Sequence, residues 1–305
     1  MTWYLKAIKQ GNSNAQCSLG AMYDDGEGVA QNYQQAMDWY SKATYQGHTT
    51  AQYYLGVIYQ HGRGVPQDIS VAVEWYEKAA DQGHAEALFS LGDMYHHSKD
   101  TPQNHTKITE CYLKAADRGH AVAQKCVGDM YFYGHGVTRD VLKAAKWYFK
   151  SAHQGYAPAQ KNMGDLCLYG REDHEGIGEA MKWYLKAANQ GDADAQCQIG
   201  LIYHRGKDVP KDHKRAMNWF LKSADQGHAT AQWNIGLMYE RGQGVFENHE
   251  MAMKWFMKVA DQGDATAQCK IGVKYHDGKG VPEDHQKAME WFFKAAELQH
   301  RCNVS

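Results

Sequence analysis

Hydrophobic residues between positions 225 and 260 follow two helical patterns separated by a polar stretch. They are spaced i, i+4, i+7, i+8 in the first pattern and i, i+3, i+4, i+7, i+8 in the second, which places each set on one face of an α-helix. Gly242 and Gly244 lie between the patterns and predict a tight turn. The stretch therefore predicts two helices joined by a turn. The first set is Ala231, Ile235, Met238 and Tyr239, and the second is Ala252, Trp255, Phe256, Val259 and Ala260.

The same helix–turn–helix unit returns every 36 residues. A tryptophan marks one position of the second helix in every unit except one, which has Cys111, and a glycine marks the middle of the first helix. A glycine there predicts close approach of another helix. A constant period of roughly 20–50 residues is the signature of a solenoid, which presents one extended surface. The tryptophans are Trp3, Trp39, Trp75, Trp147, Trp183, Trp219, Trp255 and Trp291, and the glycines are Gly20, Gly56, Gly92, Gly128, Gly164, Gly200, Gly236 and Gly272.

Capping residues precede both helices of the unit. The residue before the second helix is Asn or Asp in seven of eight units, with Gly176 as the exception, and both types are strong N-caps. The residue before the first helix is mostly His, Asn or Asp, as at His228. A lysine lies in the last turn of every second helix, from Lys6 to Lys294, where its charge complements the helix dipole and its stem can cover apolar surface. These histidines and lysines thus have structural explanations.

The repeat predicts an all-α solenoid of antiparallel helix pairs with one continuous core. We expect residues 1–10 to be a partial repeat that consists of a truncated second helix. Residues 11–298 would then form eight helix pairs in one array, and residues 299–305 would form a polar tail.

Residues 229–245 carry the pattern Ala-x-Ala-Gln-x-x-Ile-Gly-x-Met-Tyr-x-x-Gly-x-Gly-Val, and residues 248–260 carry Asn followed by Ala-x-x-Trp-Phe-x-Lys-x-Ala. This pattern resembles the Sel-like repeat family, relatives of tetratricopeptide repeats, over essentially the whole chain. The resemblance implies a right-handed superhelical solenoid and adaptor roles in degradation at the endoplasmic reticulum, activation of cell-wall synthesis or signalling. A secreted, cysteine-rich branch of the family, linked to β-lactam binding or hydrolysis, ties its helices together with regular disulfides. The irregular cysteines of this chain depart from that branch.

The net charge and the cysteines limit which classes of partner and which compartment we expect for the protein. The net charge is −2 and no basic stripe occurs, which argues against nucleic acid and anionic membranes as partners. No apolar run approaches the ~20 residues needed for membrane insertion, and residues 1–6 do not show the charged-then-apolar pattern expected of a signal segment. Seven irregularly spaced cysteines predict free thiols in a reducing compartment. We therefore expect a cytoplasmic protein, or one in the lumen of the endoplasmic reticulum if an upstream signal segment is missing. The oligomeric state stays open.

Catalytic and cofactor motifs do not emerge from the sequence. Seventeen histidines suggest metal binding, but no HExxH motif occurs. We call the equivalent positions of successive units a column. One column contains four histidines, one per unit, and equivalent residues of neighbouring units would lie roughly 10 Å apart, too far to share a zinc ion. The GxG turns lack a third glycine and follow helices, so they do not match a nucleotide-binding loop. We therefore predict no enzymatic activity, no cofactor and no metal. The column is His105, His213, His249 and His285.

Residues that the repeat leaves variable are the candidates for partner binding. By analogy with tetratricopeptide repeats, we expect the first-helix columns that contain Phe89 and Asp93 to lie on the concave face of the solenoid. The middle units carry aspartates and lysines there, and the flanks carry aromatic and apolar residues, which predicts a polypeptide partner with a basic middle and apolar ends. The lysines have an alternative explanation, because each lies four residues before an aspartate and can pair with it locally. The candidates are Tyr53, Phe89, Asp93, Lys125, Asp129, Lys161, Asp165, Trp233 and Leu237.

Three functions stay open at this point. The first is an adaptor or scaffold that binds a polypeptide segment on its concave face. The second is a regulatory fragment of a larger enzyme or signalling protein, since Met1 falls inside a predicted helix that lacks its cap. The third, which the cysteine pattern disfavours, is a secreted cysteine-rich protein of the β-lactam hydrolase type.

Two units depart from the repeat and are predicted to be locally weak. The third unit has a turn without glycines at residues 97–101, and Cys111 replaces its tryptophan. A tryptophan-to-small change in a core costs about 3–5 kcal/mol unless the site is repacked. The second departure is the turn at residues 170–173, with Gly176 in the cap position.

Overall fold

The computed structural model describes residues 8, 11–97, 102–169, 176–206 and 209–302, without the side chains of 102–104 and 299–302. Within these residues the chain forms sixteen α-helices and no β-strand, as the repeat predicts. The turn residues 98–101 and 170–173 and most of the predicted partial repeat lie outside the described residues. The chain divides into two compact units, residues 1–154 and 155–305.

Each unit is an all-α solenoid built from four helix pairs. Within a pair the two helices pack along each other and a short turn joins them, so they run antiparallel; the second helix then packs on the first helix of the next pair. The first unit contains α1 (Ser13–Asp25), α2 (Tyr33–Thr44), α3 (Thr49–His61), α4 (Ile69–Asp81), α5 (Ala85–His97), α6 (Pro102–Asp117), α7 (Ala121–Tyr133) and α8 (Val141–His153). The second contains α9 (Ala157–Tyr169), α10 (Gly176–Asn189), α11 (Ala193–Arg205), α12 (His213–Ala224), α13 (Ala229–Arg241), α14 (His249–Ala260), α15 (Ala265–Asp277) and α16 (His285–Cys302).

Side chains cap both helices of the repeat, as the sequence predicts. Before second helices, Asn248 Oδ1 accepts a hydrogen bond from the Met251 backbone N at 2.9 Å, and Asp68 caps α4 in the same way. Before first helices, the Nδ1 atom of His120 accepts from the Ala123 backbone N at 3.1 Å. Asparagine, aspartate and neutral histidine all offer an acceptor to an otherwise unpaired N–H, which explains why these residue types share one column. The other histidine caps are His48, His84 and His228.

The glycine column allows the two helices of each pair to approach closely. A Cβ at Gly56 would lie 2.5 Å from the ring of Tyr76, and a Cβ at Gly200 would lie 2.6 Å from the ring of Phe220. The other six glycines of the column meet an aromatic ring of the paired helix in the same way. These rings belong to the core, where Tyr76 and Phe220 are fully buried. The close approach offsets the ~1 kcal/mol that a mid-helix glycine costs relative to alanine.

The recurring lysine packs on the recurring tryptophan. In each of the seven 36-residue repeats in which both side chains are described, the lysine Nζ lies 4.0–4.4 Å from the centre of the indole ring three residues earlier. This distance is that of a cation–π contact. The lysine column therefore has the structural role that its position predicts.

At the second departure from the repeat, α10 begins at Gly176 itself. A Cβ there would lie 2.0 Å from the carbonyl oxygen of Cys167, so the close approach of two backbones requires glycine in place of a cap residue.

Candidate functional site

The candidate partner-binding residues all lie on first helices and are all half-buried. We call this set the first-helix face. In the first unit it consists of Tyr53 on α3, Phe89 and Asp93 on α5, and Lys125 and Asp129 on α7. In the second unit it consists of Lys161 and Asp165 on α9, and Trp233 and Leu237 on α13.

The aromatic residues of the first unit stack on histidine caps of the next repeat. The Tyr53 ring lies 4.9 Å from the His84 ring with an interplanar angle of 21°, and Phe89 lies 4.6 Å from His120 at 19°. Burial lowers the pKa of both histidines below the usual value, which favours the neutral form that each cap requires. The sequence identifies these histidines as caps but does not place them on this face. The detectable signal is that a histidine follows each aromatic residue by 31 positions.

The aromatic residues also contact the core of their own repeat. Phe89 stacks on Tyr112, with the ring centres 5.6 Å apart, and Trp233 in the second unit lies 4.9 Å from Phe256. Trp233 and Leu237 both pack against the buried cluster that contains Phe256. Each large side chain is thus held in position by its own repeat, so little side-chain entropy remains to be lost on binding a partner.

The lysines of the face pair with the aspartates four residues later. Lys125 Nζ lies 2.6 Å from Asp129 Oδ2, and Lys161 Nζ lies 2.9 Å from Asp165 Oδ2. Local pairing, the alternative that the spacing offers, is therefore the arrangement observed. Burial alone would lower the pKa of Lys161, but the hydrogen bond and charge of Asp165 outweigh burial and raise it.

Each of these two aspartates also accepts a hydrogen bond from the tyrosine that packs on the glycine column. Tyr148 donates to Asp129 Oδ1 and Tyr184 donates to Asp165 Oδ1, both at 2.7 Å. The two carboxylates are therefore tied to the core and neutralised by lysine. A basic partner residue would have to share them with these internal contacts.

Asp93 differs from the other two aspartates. Its side chain is 49% exposed, compared with 28% for Asp129 and 29% for Asp165. Phe89 stands where the repeats of Asp129 and Asp165 have lysine, and the Nδ1 atom of the His97 imidazole lies 3.8 Å from Asp93 Oδ1. Asp93 is therefore the most accessible carboxylate of the face.

The described residues contain no group of three or more His, Cys, Asp or Glu side chains that could hold a metal ion. The six cysteines with described side chains are free thiols. Burial raises the pKa of Cys17, Cys111 and Cys126 to about 11, so these thiols are poor nucleophiles near neutral pH. No helix within the described ranges is long and apolar enough to cross a membrane.

A family model for the Sel1 repeat matches the chain in nine successive segments, which are residues 1–12, 13–48, 49–84, 85–120, 121–156, 157–192, 193–228, 229–264 and 265–300. Among solved structures, the chain is similar to a Sel1 repeat protein from Oxalobacter formigenes, with 36% identity and a TM-score of 0.66 over 87% of this chain and 76% of that one. It is also similar to a protective antigen of uropathogenic Escherichia coli strains that has an SLR fold, with 29% identity and a TM-score of 0.52 over 100% of this chain and 82% of that one. A comparison with curated proteins gave no match.

Proposed function

Because the chain belongs to the Sel1 repeat family, we propose that it is a protein-interaction scaffold that binds extended polypeptide segments along the first-helix face. The observation that supports this most is that partly exposed side chains of one chemical type occupy the same position in successive repeats. Tyr53 and Phe89 share one position, and Asp93 and Asp129 share the position four residues later. A row of similar groups at constant spacing suits a partner whose own side chains recur at constant spacing.

The spacing of the repeat sets the spacing of the partner's contacts. Equivalent residues of neighbouring repeats lie roughly 10 Å apart, and an extended chain advances about 3.3 Å per residue. The partner would therefore present one contacting side chain in about every three residues. Along the first unit these are apolar groups for Tyr53 and Phe89, and Lys or Arg for Asp93 and Asp129. Along the second unit, Asp165 selects a basic residue, and Trp233 and Leu237 select apolar ones.

The electrostatic part of binding depends mainly on Asp93. Asp129 and Asp165 already bind lysine, whereas Asp93 is half-exposed beside a histidine. Exposed charge pairs across an interface act chiefly on the association rate and are screened by salt. Trp233 is a large, pre-positioned aromatic of the kind that dominates interface energies, so it should act on the dissociation rate.

Binding of synthetic peptides tests this proposal. Extended peptides with Lys or Arg at every third position and aromatic residues at neighbouring positions should bind. Peptides of the same composition with Lys or Arg at every second position should bind more weakly. The double variant Asp93→Asn, Asp129→Asn should weaken binding mainly at low salt. Trp233→Ala should cost about 2 kcal/mol or more of binding free energy at any salt. Crosslinking in native lysate would then identify the natural partner.

Two substitutions on second helices serve as matched controls. Glu250→Gln on α14 also removes the acid of a local pair four residues apart, since Glu250 Oε1 lies 2.8 Å from Lys254 Nζ. Phe293→Ala on α16 removes an aromatic residue that is 64% exposed. Both controls should leave peptide binding unchanged. If the controls weaken binding and the first-helix variants do not, partners bind the second helices and the proposed face is wrong.

A further inference from the structure

The repeat at residues 85–120 departs from its neighbours at three positions that meet in space. Cys111 replaces the tryptophan, Leu88 replaces a glutamine of the first helix, and Arg118 replaces a glutamine that follows the second helix. A cavity of about 340 Å³ lies at this place, between α4, α5 and α6. We call it the Cys111 cavity. It is lined by Glu77, Ala80, Asp81, Leu88, Leu91, Tyr95, Lys107, Glu110, Cys111, Lys114 and Arg118.

The side chains around the cavity make different contacts from their equivalents in the neighbouring repeats. In neighbouring repeats the two glutamines bond each other, as when Gln82 Nε2 donates to Gln52 Oε1 at 2.7 Å. Here Arg118 Nη1 instead donates to the Gly83 carbonyl at 2.8 Å. The lysine that elsewhere covers the indole is present as Lys114, and its Nζ lies 2.6 Å from Glu110 Oε1.

The cavity combines an apolar floor with a charged rim. Leu88 and Leu91 on the floor are 5% and 4% exposed. On one side of the rim Tyr95 donates a hydrogen bond to Glu77 Oε1 at 3.2 Å. The volume lies at the lower end of the range of small-ligand sites, roughly 300–1,000 Å³. Six of the eleven lining residues are charged, so this lining is more polar than that of most such sites. A flat aromatic ring with a polar N–H has an apolar face for the leucines and a donor for the rim carboxylates.

We propose that the Cys111 cavity is a binding site for an indole ring, supplied either by a tryptophan side chain of a partner polypeptide or by a free indole compound. In the seven other described repeats the chain places its own indole at the equivalent position, under the equivalent lysine. A bound indole would restore that arrangement. One face of the ring would lie on the apolar floor, and Lys114 would swing from Glu110 onto the other face. The indole N–H could donate to a rim carboxylate. The exposed Lys114–Glu110 pair contributes little, so breaking it costs little. The inference does not depend on the first-helix face.

Thiol labelling gives a direct readout of occupancy. Cys126 is a matched internal reference, because it is half-buried, has the same raised pKa of about 11 as Cys111, and lies outside the cavity. The full chain is treated with N-ethylmaleimide with and without indole or N-acetyltryptophanamide, and modification of each cysteine is followed by mass spectrometry. At a probe concentration about ten times its Kd, labelling of Cys111 should slow about tenfold while that of Cys126 is unchanged.

Variants separate the cavity from the thiol, with binding measured by calorimetry. Cys111→Ser keeps the cavity and should keep probe binding, whereas Cys111→Trp fills it and should abolish binding. Should Cys111→Trp fail to fold, Lys114→Gln supplies the second test, because loss of a cation–π contact should weaken binding about fivefold.

The two probes distinguish the sources of the ring. Binding of N-acetyltryptophanamide supports a tryptophan side chain as the natural ligand. Binding of indole without binding of N-acetyltryptophanamide supports a free indole compound. The proposal is overturned if neither probe protects Cys111 relative to Cys126, or if Cys111→Trp binds the probes as tightly as the parent chain.

Discussion

Replacing Gly56 with alanine would place a methyl group against the ring of Tyr76. The new Cβ would lie 2.5 Å from Cε1 and 2.6 Å from Cδ1 of that ring, well inside van der Waals contact. Tyr76 is fully buried, and its hydroxyl donates a hydrogen bond to Gln60 Oε1, so the ring is anchored at both ends. The methyl group can therefore be accommodated only by moving α3 and α4 apart.

The expected magnitude follows from two opposing contributions. Alanine is favoured over glycine in a helix interior by about 1 kcal/mol. Overpacking a tight core costs typically about 1–3 kcal/mol, and contact with an anchored ring places this site at the upper end of that range. We therefore expect Gly56→Ala to lower the free energy of unfolding by about 2 kcal/mol.

The matched control is Gly178→Ala on α10. Gly178 is exposed, and a Cβ there would have no neighbouring heavy atom within 4 Å, so this change should stabilise the chain by about 0.5 kcal/mol. Urea unfolding of both variants measures the two values, with an unchanged slope against denaturant as the condition for comparing them. If Gly56→Ala is as stable as the parent chain, close helix approach is not the reason for the glycine column.

Three further predictions concern pH, local stability and catalysis. The caps His48, His84 and His120 accept N–H bonds only when Nδ1 is unprotonated, and burial lowers the pKa of each. The unfolded chain therefore binds more protons than the folded chain as pH falls. The stabilisation from these caps is complete above the unfolded histidine pKa of about 6.5 and is lost as pH falls below it. His120→Asn keeps a cap that does not titrate in this range, so it should flatten the pH dependence of stability measured by urea unfolding. Amides of α6 should exchange with deuterium earlier than those of α4 because Cys111 leaves a cavity, and uniform protection of both helices would contradict this. The purified monomer should not hydrolyse β-lactams, and turnover at an enzyme-like rate without metal or contaminants would refute this.

Most of the fold could be predicted because each repeat contacts only its neighbours in the stack. In such an array the contacts of a residue follow from its position in the period, and the local pattern already specifies the packing. Asn248 was identifiable as a cap from its column, and the structure places its side chain on the Met251 N–H. Gly236 was identifiable as a site of close approach, and a Cβ there would lie 2.6 Å from the Phe256 ring.

The candidate site was predictable only as far as residue positions. The period assigns Lys125 and Phe89 to the same position of the first helix, but it does not determine what each side chain contacts. The ion pair of Lys125 with Asp129 and the stacking of Phe89 on His120 depend on rotamers and on the neighbouring repeat. The exposed fractions of the Asp93 and Asp129 side chains, 49% and 28%, likewise come only from the structure.

The sequence alone determined the helix pairs, their caps, the close approach at the glycines and the place of each departure from the period, because all of these depend on local spacing. It showed that Cys111 stands where other repeats have tryptophan. Only the tertiary structure decided whether the neighbouring helices close over that place or leave space. Leu88, Arg118 and Lys114 do not fill it, and a cavity of about 340 Å³ remains. The physical reason is that α4, α5 and α6 are held at their spacing by the rest of the repeat packing, so one shortened side chain cannot draw them together.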